Sequence, residues 1–143
     1  MKKLNEDLLH RDGISEAVRE ILKKELAPRL GICITIPRDL TWREYEQEIA
    51  AVADGSQEML FRLPSYPRKV KEGDRCYVCH RGFIIGWMRI SGIEESPGGF
   101  TCTTTGKQWP AGIYLKRSGE FHYLRAKVPM HGFQGYRYIE EID

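Results

Sequence analysis

The stretch GDRCYVCHRGFIIGW, residues 73–87, has two readings, and the choice between them decides the fold. Cys76-x-x-Cys79-His80 has the spacing of a c-type haem tether, and C-x-x-C is half of many zinc sites. A zinc knuckle, however, curls both thiolates inward, usually over small residues. Here Tyr77 and Val78 lie between the cysteines, an aromatic and a β-branched side chain that favour strands. The chain has no second C-x-x-C and no closely spaced His pair. The remaining zinc ligands would have to come from Cys33, Cys102 or a distant His. In an extended strand, residues three apart point to opposite faces, so Cys76 and Cys79 would diverge. We therefore read RCYVCH and FIIGW as two strands joined by a tight turn at Arg81-Gly82. The cysteines are then strand thiols, with no metal, haem or other cofactor expected.

Working outward, most of the chain after Gly55 carries strand patterns: EMLFRL, FTCTTT, GIYLKR, EFHYLRAKV and YRYIEEI join the central hairpin. Turn signals separate them, among them Gly73-Asp74, Pro97-Gly98-Gly99 and Ser118-Gly119. LGICITIP, near residue 30, alternates Ile32, Ile34 and Ile36 against Cys33 and Thr35, a strand buried on at least one face. Two helices precede or flank it. Ile14, Val18, Ile21, Leu22 and Leu26 make one apolar stripe, with Asp12 or Ser15 as cap and Pro28 as stop. Thr41-Trp42-Arg43-Glu44 fits a capping box, and Trp42, Tyr45, Ile49 and Val52 then line one face, with Asp54-Gly55 as the end.

The predicted class is α+β: one domain over 1–143, a small β-barrel of six or seven strands with two helices in the N-terminal third. Residues 1–28 form a helical segment packed on the barrel or extending from it. The length of 143 residues suits one core, and no apolar run approaches the roughly 18 residues that span a bilayer. MKKLNEDLLHRDG has no apolar segment of the kind a secretory signal needs, so a cytoplasmic, reducing setting is expected. Residues 1–60 hold 9 Lys/Arg against 12 Asp/Glu, whereas 61–137 hold 13 against 5. The basic excess therefore sits among the strands, a pointer to an anionic partner beside the plainer reading of a mixed surface.

KVKEGDRCYVCHRGFIIGWMRISGIEE resembles the core hairpin of the PUA-like superfamily, which includes PUA, ASCH and EVE domains. In that group a GD-x-hydrophobic strand precedes a G-x-I-x-G strand. The closing VPMHGFQGYRYIEE is similar to the aromatic-rich last strand of some bacterial PUA-like proteins. By strand order the resemblance covers about residues 30–143. It implies a PUA-like pseudo-barrel whose cleft receives a base or nucleotide.

Residues 106–137 interleave Lys107, Lys116, Arg117, Arg125, Lys127 and Arg137 with aromatic side chains and only one acid, Glu120. Basic groups attract phosphate and aromatic faces stack on unpaired bases. The bland reading makes Phe121, Tyr123, Tyr136 and Tyr138 core residues, and Lys116-Arg117-Ser118-Gly119 a solvated hairpin tip. Two loops carry more. In TTTGKQWPAG, 103–112, Lys107 and Trp109 lie among turn residues; in PMHGFQGYR, 129–137, Phe133, Gln134 and Arg137 surround two glycines.

We expect the chain to bind RNA, single-stranded or modified nucleic acid, or a free nucleotide between these loops. Trp109 and Phe133 would stack, Gln134 would read a base edge, and Lys107, Arg125, Arg137 and Arg38 would hold phosphate. Binding is favoured over catalysis. The alternative is a small hydrolase of modified nucleosides, for which the resemblance to some ASCH relatives suggests Lys107 beside Thr103, Thr104 and Thr105. A third reading is a protein-interaction module docked through the 14–26 helix.

Overall fold

The computed structural model describes residues 15–26, 29–101 and 106–142. The expectations for Asp12, Ile14, Pro28, Cys102 and Thr103–Thr105 fall outside them. Helix α1 spans Glu16–Leu26 and is capped by Ser15, whose Oγ accepts from the Val18 amide at 3.3 Å. Val18 and Ile21 are 47% and 58% exposed, so this part of the apolar stripe is not packed into the domain. Strand β1, Leu30–Thr35, follows, and then α2, Trp42–Val52.

Thr41 caps α2: its Oγ accepts from the Glu44 amide at 3.2 Å. The box is closed differently from expectation. The Thr41 hydroxyl donates to the Glu44 carboxylate at 3.0 Å, so Glu44 engages the side chain of the cap. Tyr45, Ile49 and Val52 make the buried face.

The strands that follow are β2 (Met59–Leu63), β3 (Arg75–His80), β4 (Phe83–Ser96), β5 (Phe100–Thr101), β6 (Gln108–Trp109), β7 (Gly112–Arg117), β8 (His122–Pro129) and β9 (Tyr136–Glu140). Seven of the nine form one sheet in the order β2-β7-β4-β3-β1-β9, with β8 also on β4. Only β1 and β3 pair in parallel; the other pairs of this sheet are antiparallel. The β3–β4 turn is Arg81-Gly82, with φ of 49° and 87°. Two positive values are what a type I′ hairpin requires.

Strand β4 organises the sheet because it serves two ladders. Its first half pairs with β3 and β8, and its second half, from Ile90, pairs with β7. A register shift between Ile90 and Gly92 separates the halves, and bulges of this kind bend and twist a strand. The sheet curls around Ile32, Ile34, Leu63, Cys76, Ile90 and Leu115. Burial of each such aliphatic side chain stabilises the fold by about 1.5–3 kcal/mol.

The domain is thus α+β and rich in strands, but the sheet does not close. Its ends, β2 and β9, share this core and meet through the 2.8 Å Ser65–Tyr136 hydroxyl contact, without a strand ladder between them. The closed barrel expected from strand count is an open, curled sheet. Pro64 stands at the end of β2, where it has no amide to offer a closing ladder.

The opposite face of β1 and β3 carries Cys33, Tyr77 and Cys79, packed with Ile84 and Trp87. The 128–133 segment and the C-terminal tail cover it. The Tyr77 hydroxyl accepts from the Ile142 amide at 2.7 Å. Cys76 and Cys79 therefore belong to cores on different faces, the geometry of a strand. Among the described residues, no helix is long and apolar enough to cross a membrane.

Candidate ligand-binding site

The residues singled out from sequence separate into four places. Lys107 and Trp109 line a cleft of ≈ 450 Å³ between α2, β2 and β6. Trp109 is half-buried in the short β6, stacked on Phe100 at 6.0 Å and edge-on to Tyr114 at 5.6 Å. It is a fixed wall, with the Lys107 ammonium 4.8 Å from its ring centroid. Gln134 lines a second cleft, ≈ 620 Å³, with Arg62, Pro64, Gly112 and Ile113. Phe133 packs onto the Cys33–Tyr77 core and is roofed by the Arg137 guanidinium at 4.6 Å. Trp109 and Phe133 do not share a cleft, so one base could not lie between them.

Arg125 falls at a fourth place, beside which the Arg38 carbonyl accepts from Arg81. Opposite β4, strand β8 carries an irregularity: Gly86 pairs with Tyr123 and Ile84 with Val128, so Leu124–Lys127 face Ile85 alone. Such bulges re-aim side chains and are over-represented beside binding sites. Here the bulge opens a groove of ≈ 550 Å³ lined by Trp42, Arg81, Phe83, Ile85, Tyr123 and Lys127. Among the described residues, none that lines this groove is acidic. Arg125, in the same bulge, is exposed.

Three aromatic rings give the groove its character. Trp42, the first residue of α2, packs against Phe121 at 5.7 Å and presents its ring edge-on to Tyr123 at 6.2 Å. Phe121 is buried, as the core reading of that strand expects, but Tyr123 is 57% exposed and Phe83 42%. Tyr136 and Tyr138, by contrast, pack against the central core. The floor is held by His80, whose Nε2 donates to the Leu40 carbonyl at 2.9 Å.

At the rim, Arg81 has positive φ, which is uncommon for a residue with a Cβ. Its guanidinium donates to the Arg38 carbonyl at 3.2 Å, tying the 37–40 turn to the hairpin. Sequence reasoning missed Trp42, Phe83 and Arg81. Phe83 was legible as an aromatic just beyond a two-residue turn, but nothing local placed it opposite Tyr123.

Arg117 is the clearest departure from expectation. Read as part of a solvated hairpin tip, it is 2% exposed, and its Nη1 donates to the Tyr45 hydroxyl at 2.6 Å. The signal was present: Ile113, Leu115 and Arg117 alternate at period two, which turns all three to one face of β7. No family model, curated protein or solved structure matches the chain.

Proposed function

We propose that the chain binds single-stranded nucleic acid or a modified nucleotide, with an unpaired base held at Trp42, Phe83 and Tyr123. The observation that carries this reading is the pairing of exposed aromatic rings with Arg81 and Lys127 in one groove whose described lining holds no acid. Base–aromatic stacking contributes about 1–3 kcal/mol per base, and cations at the rim supply the phosphate attraction. Arg125, exposed in the same bulge, extends the basic rim along β8.

The reading includes a PUA-like identity for the domain. It is supported by the tight 75–96 strand pair and by the aromatic β9 joining the same sheet beside β1. A cytoplasmic setting accords with it, since Cys33, Cys76 and Cys79 are buried free thiols.

The test is a tryptophan-fluorescence titration with short single-stranded RNA and DNA at two salt concentrations. Saturable quenching that weakens with salt, and is reduced in Tyr123→Ala, is the expected result. No response to either polymer at low salt would overturn the proposal.

A further inference from the structure

Arg117 heads the fully buried side chains by size, and charged residues are almost never fully buried unless paired. Among the described residues it has no ion-pair partner, and its Nε is a buried donor with no acceptor. Its hydrogen-bond partner, Tyr45, is a phenol whose pKa burial pushes up, so it remains neutral. The nearby Cys76 thiol is likewise pushed up, by burial, to about 11. Neither group is a counter-anion at neutral pH. Burying an unpaired cation costs several kcal/mol, which strongly favours an anion drawn from elsewhere.

The place for that anion is the 450 Å³ cleft that Arg117 lines. Its walls are apolar at Leu40, Met59 and Phe61, and Trp109 closes one side. Trp109 Nε1 is a second buried donor without a partner among the described residues. Two carboxylates line the same cleft. Glu58 is engaged by Lys116 at 4.0 Å and by the Ser91 hydroxyl. Glu48, exposed on α2, acts on Arg117 only through its field. The 37–45 segment divides this cleft from the aromatic groove, contributing Leu40 and Tyr45 to one and Trp42 to the other.

We propose that the cleft between α2, β2 and β6 binds a small organic oxyanion, a carboxylate or phosphate on an apolar body, with Arg117 as its counter-charge. The apolar body lies against Leu40, Met59, Phe61 and Trp109. This site is separate from the nucleic-acid groove and stands or falls independently of it.

Calorimetric titration of the full chain with benzoate, phenyl phosphate and inorganic phosphate tests it. At least one aromatic anion is expected to bind saturably and raise the melting temperature, and to do so about tenfold or more tightly than inorganic phosphate. Arg117→Met, matched in length but uncharged, is expected to abolish this binding, and Tyr123→Ala to leave it unchanged. Should Arg117→Met fail to fold, Glu48→Gln on the exposed side of the helix decides: removing the competing carboxylate should tighten binding about twofold or more. The proposal is overturned if none of the three anions binds the native chain, if inorganic phosphate binds as well as the aromatic anions, or if folded Arg117→Met binds like the parent. Anion affinity unaltered or weakened in Glu48→Gln would overturn it equally.

Discussion

The ring of Phe121 occupies the space where any side chain at Gly86 would stand: a Cβ built on Gly86 lies 2.5 Å from Phe121 Cε1. It would also lie 2.3 Å from the His122 carbonyl, which is backbone and cannot swing aside. Gly86 thus lets β4 and β8 approach closely just where the bulge begins, and Phe121 supports Trp42 from beneath.

Gly86→Ala is therefore expected to part β8 from β4. Overpacking of this kind costs about 1–3 kcal/mol, and here backbone must move as well, so the upper end applies. Urea unfolding should show the loss. Nucleic-acid affinity should fall with it, because Tyr123 is displaced; unchanged stability would mean the two strands tolerate a wider spacing.

Tyr123→Ala and Phe83→Ala remove exposed rings and should leave stability within about 0.5 kcal/mol. Each is expected to weaken binding of a single strand roughly tenfold or more, from the stacking energy of one base. Lys127→Ala should act differently, lowering the slope of log affinity against log salt by about 0.7. A salt series on the three variants separates stacking from phosphate contacts.

Tyr45→Phe deletes the hydroxyl that accepts from Arg117 Nη1 and leaves a second guanidinium nitrogen without its partner. Stability should drop by about 1–3 kcal/mol, the usual cost of an unsatisfied buried group. The drop should shrink in the presence of an anion that occupies the cleft. Thermal melts with and without phenyl phosphate read both effects.

Stability should also fall in alkali. Burial raises the Cys76 thiol from 9.0 to about 11, and it raises Cys33 further in the same direction. Between about pH 9 and 11 the unfolded chain has released these protons and the folded chain retains them. Stability is therefore fully present below about pH 9 and declines above it, by about 1.4 kcal/mol per pH unit for each thiol. Urea midpoints from about pH 7 to about pH 10.5 should show the decline, and Cys76→Val should make it shallower by about 1.4 kcal/mol per pH unit, leaving the Cys33 share. A flat profile in the parent chain would mean that these thiols ionise in place.

Local chemistry made much of the fold readable. Thr41 as a cap, Tyr45, Ile49 and Val52 as one buried face, and Arg81-Gly82 as a two-residue turn follow from hydrogen-bonding capacity, helical periodicity and the φ demands of tight hairpins. The central cysteines were legible for the same reason, since Tyr77 and Val78 favour an extended chain. Strand β6 reads as loop because two residues are too few to show alternation, and Phe100, its partner's first residue, is distant in sequence.

The site was less readable because its parts come from 42, 81–85 and 123–127, brought together by a bulge. Among the residues expected to bind ligand, Arg125 lies in the bulge beside the aromatic groove, and Arg38 touches its rim through its backbone carbonyl. Lys107 and Trp109 line the Arg117 cleft, Gln134 lines a third, and Phe133 with Arg137 lies over the second core.

The sequence by itself determined most of the helix and strand segments, where most turns lie and that basic charge accompanies the strands, because capping, periodicity and turn chemistry act over a few residues. Only the tertiary structure decided that the sheet stays open, that Trp42 meets Tyr123, and that Tyr45 is the group Arg117 meets. Those outcomes depend on how far β4 bends between its two ladders and on which element covers each face, and neither is encoded in the spacing of neighbouring side chains.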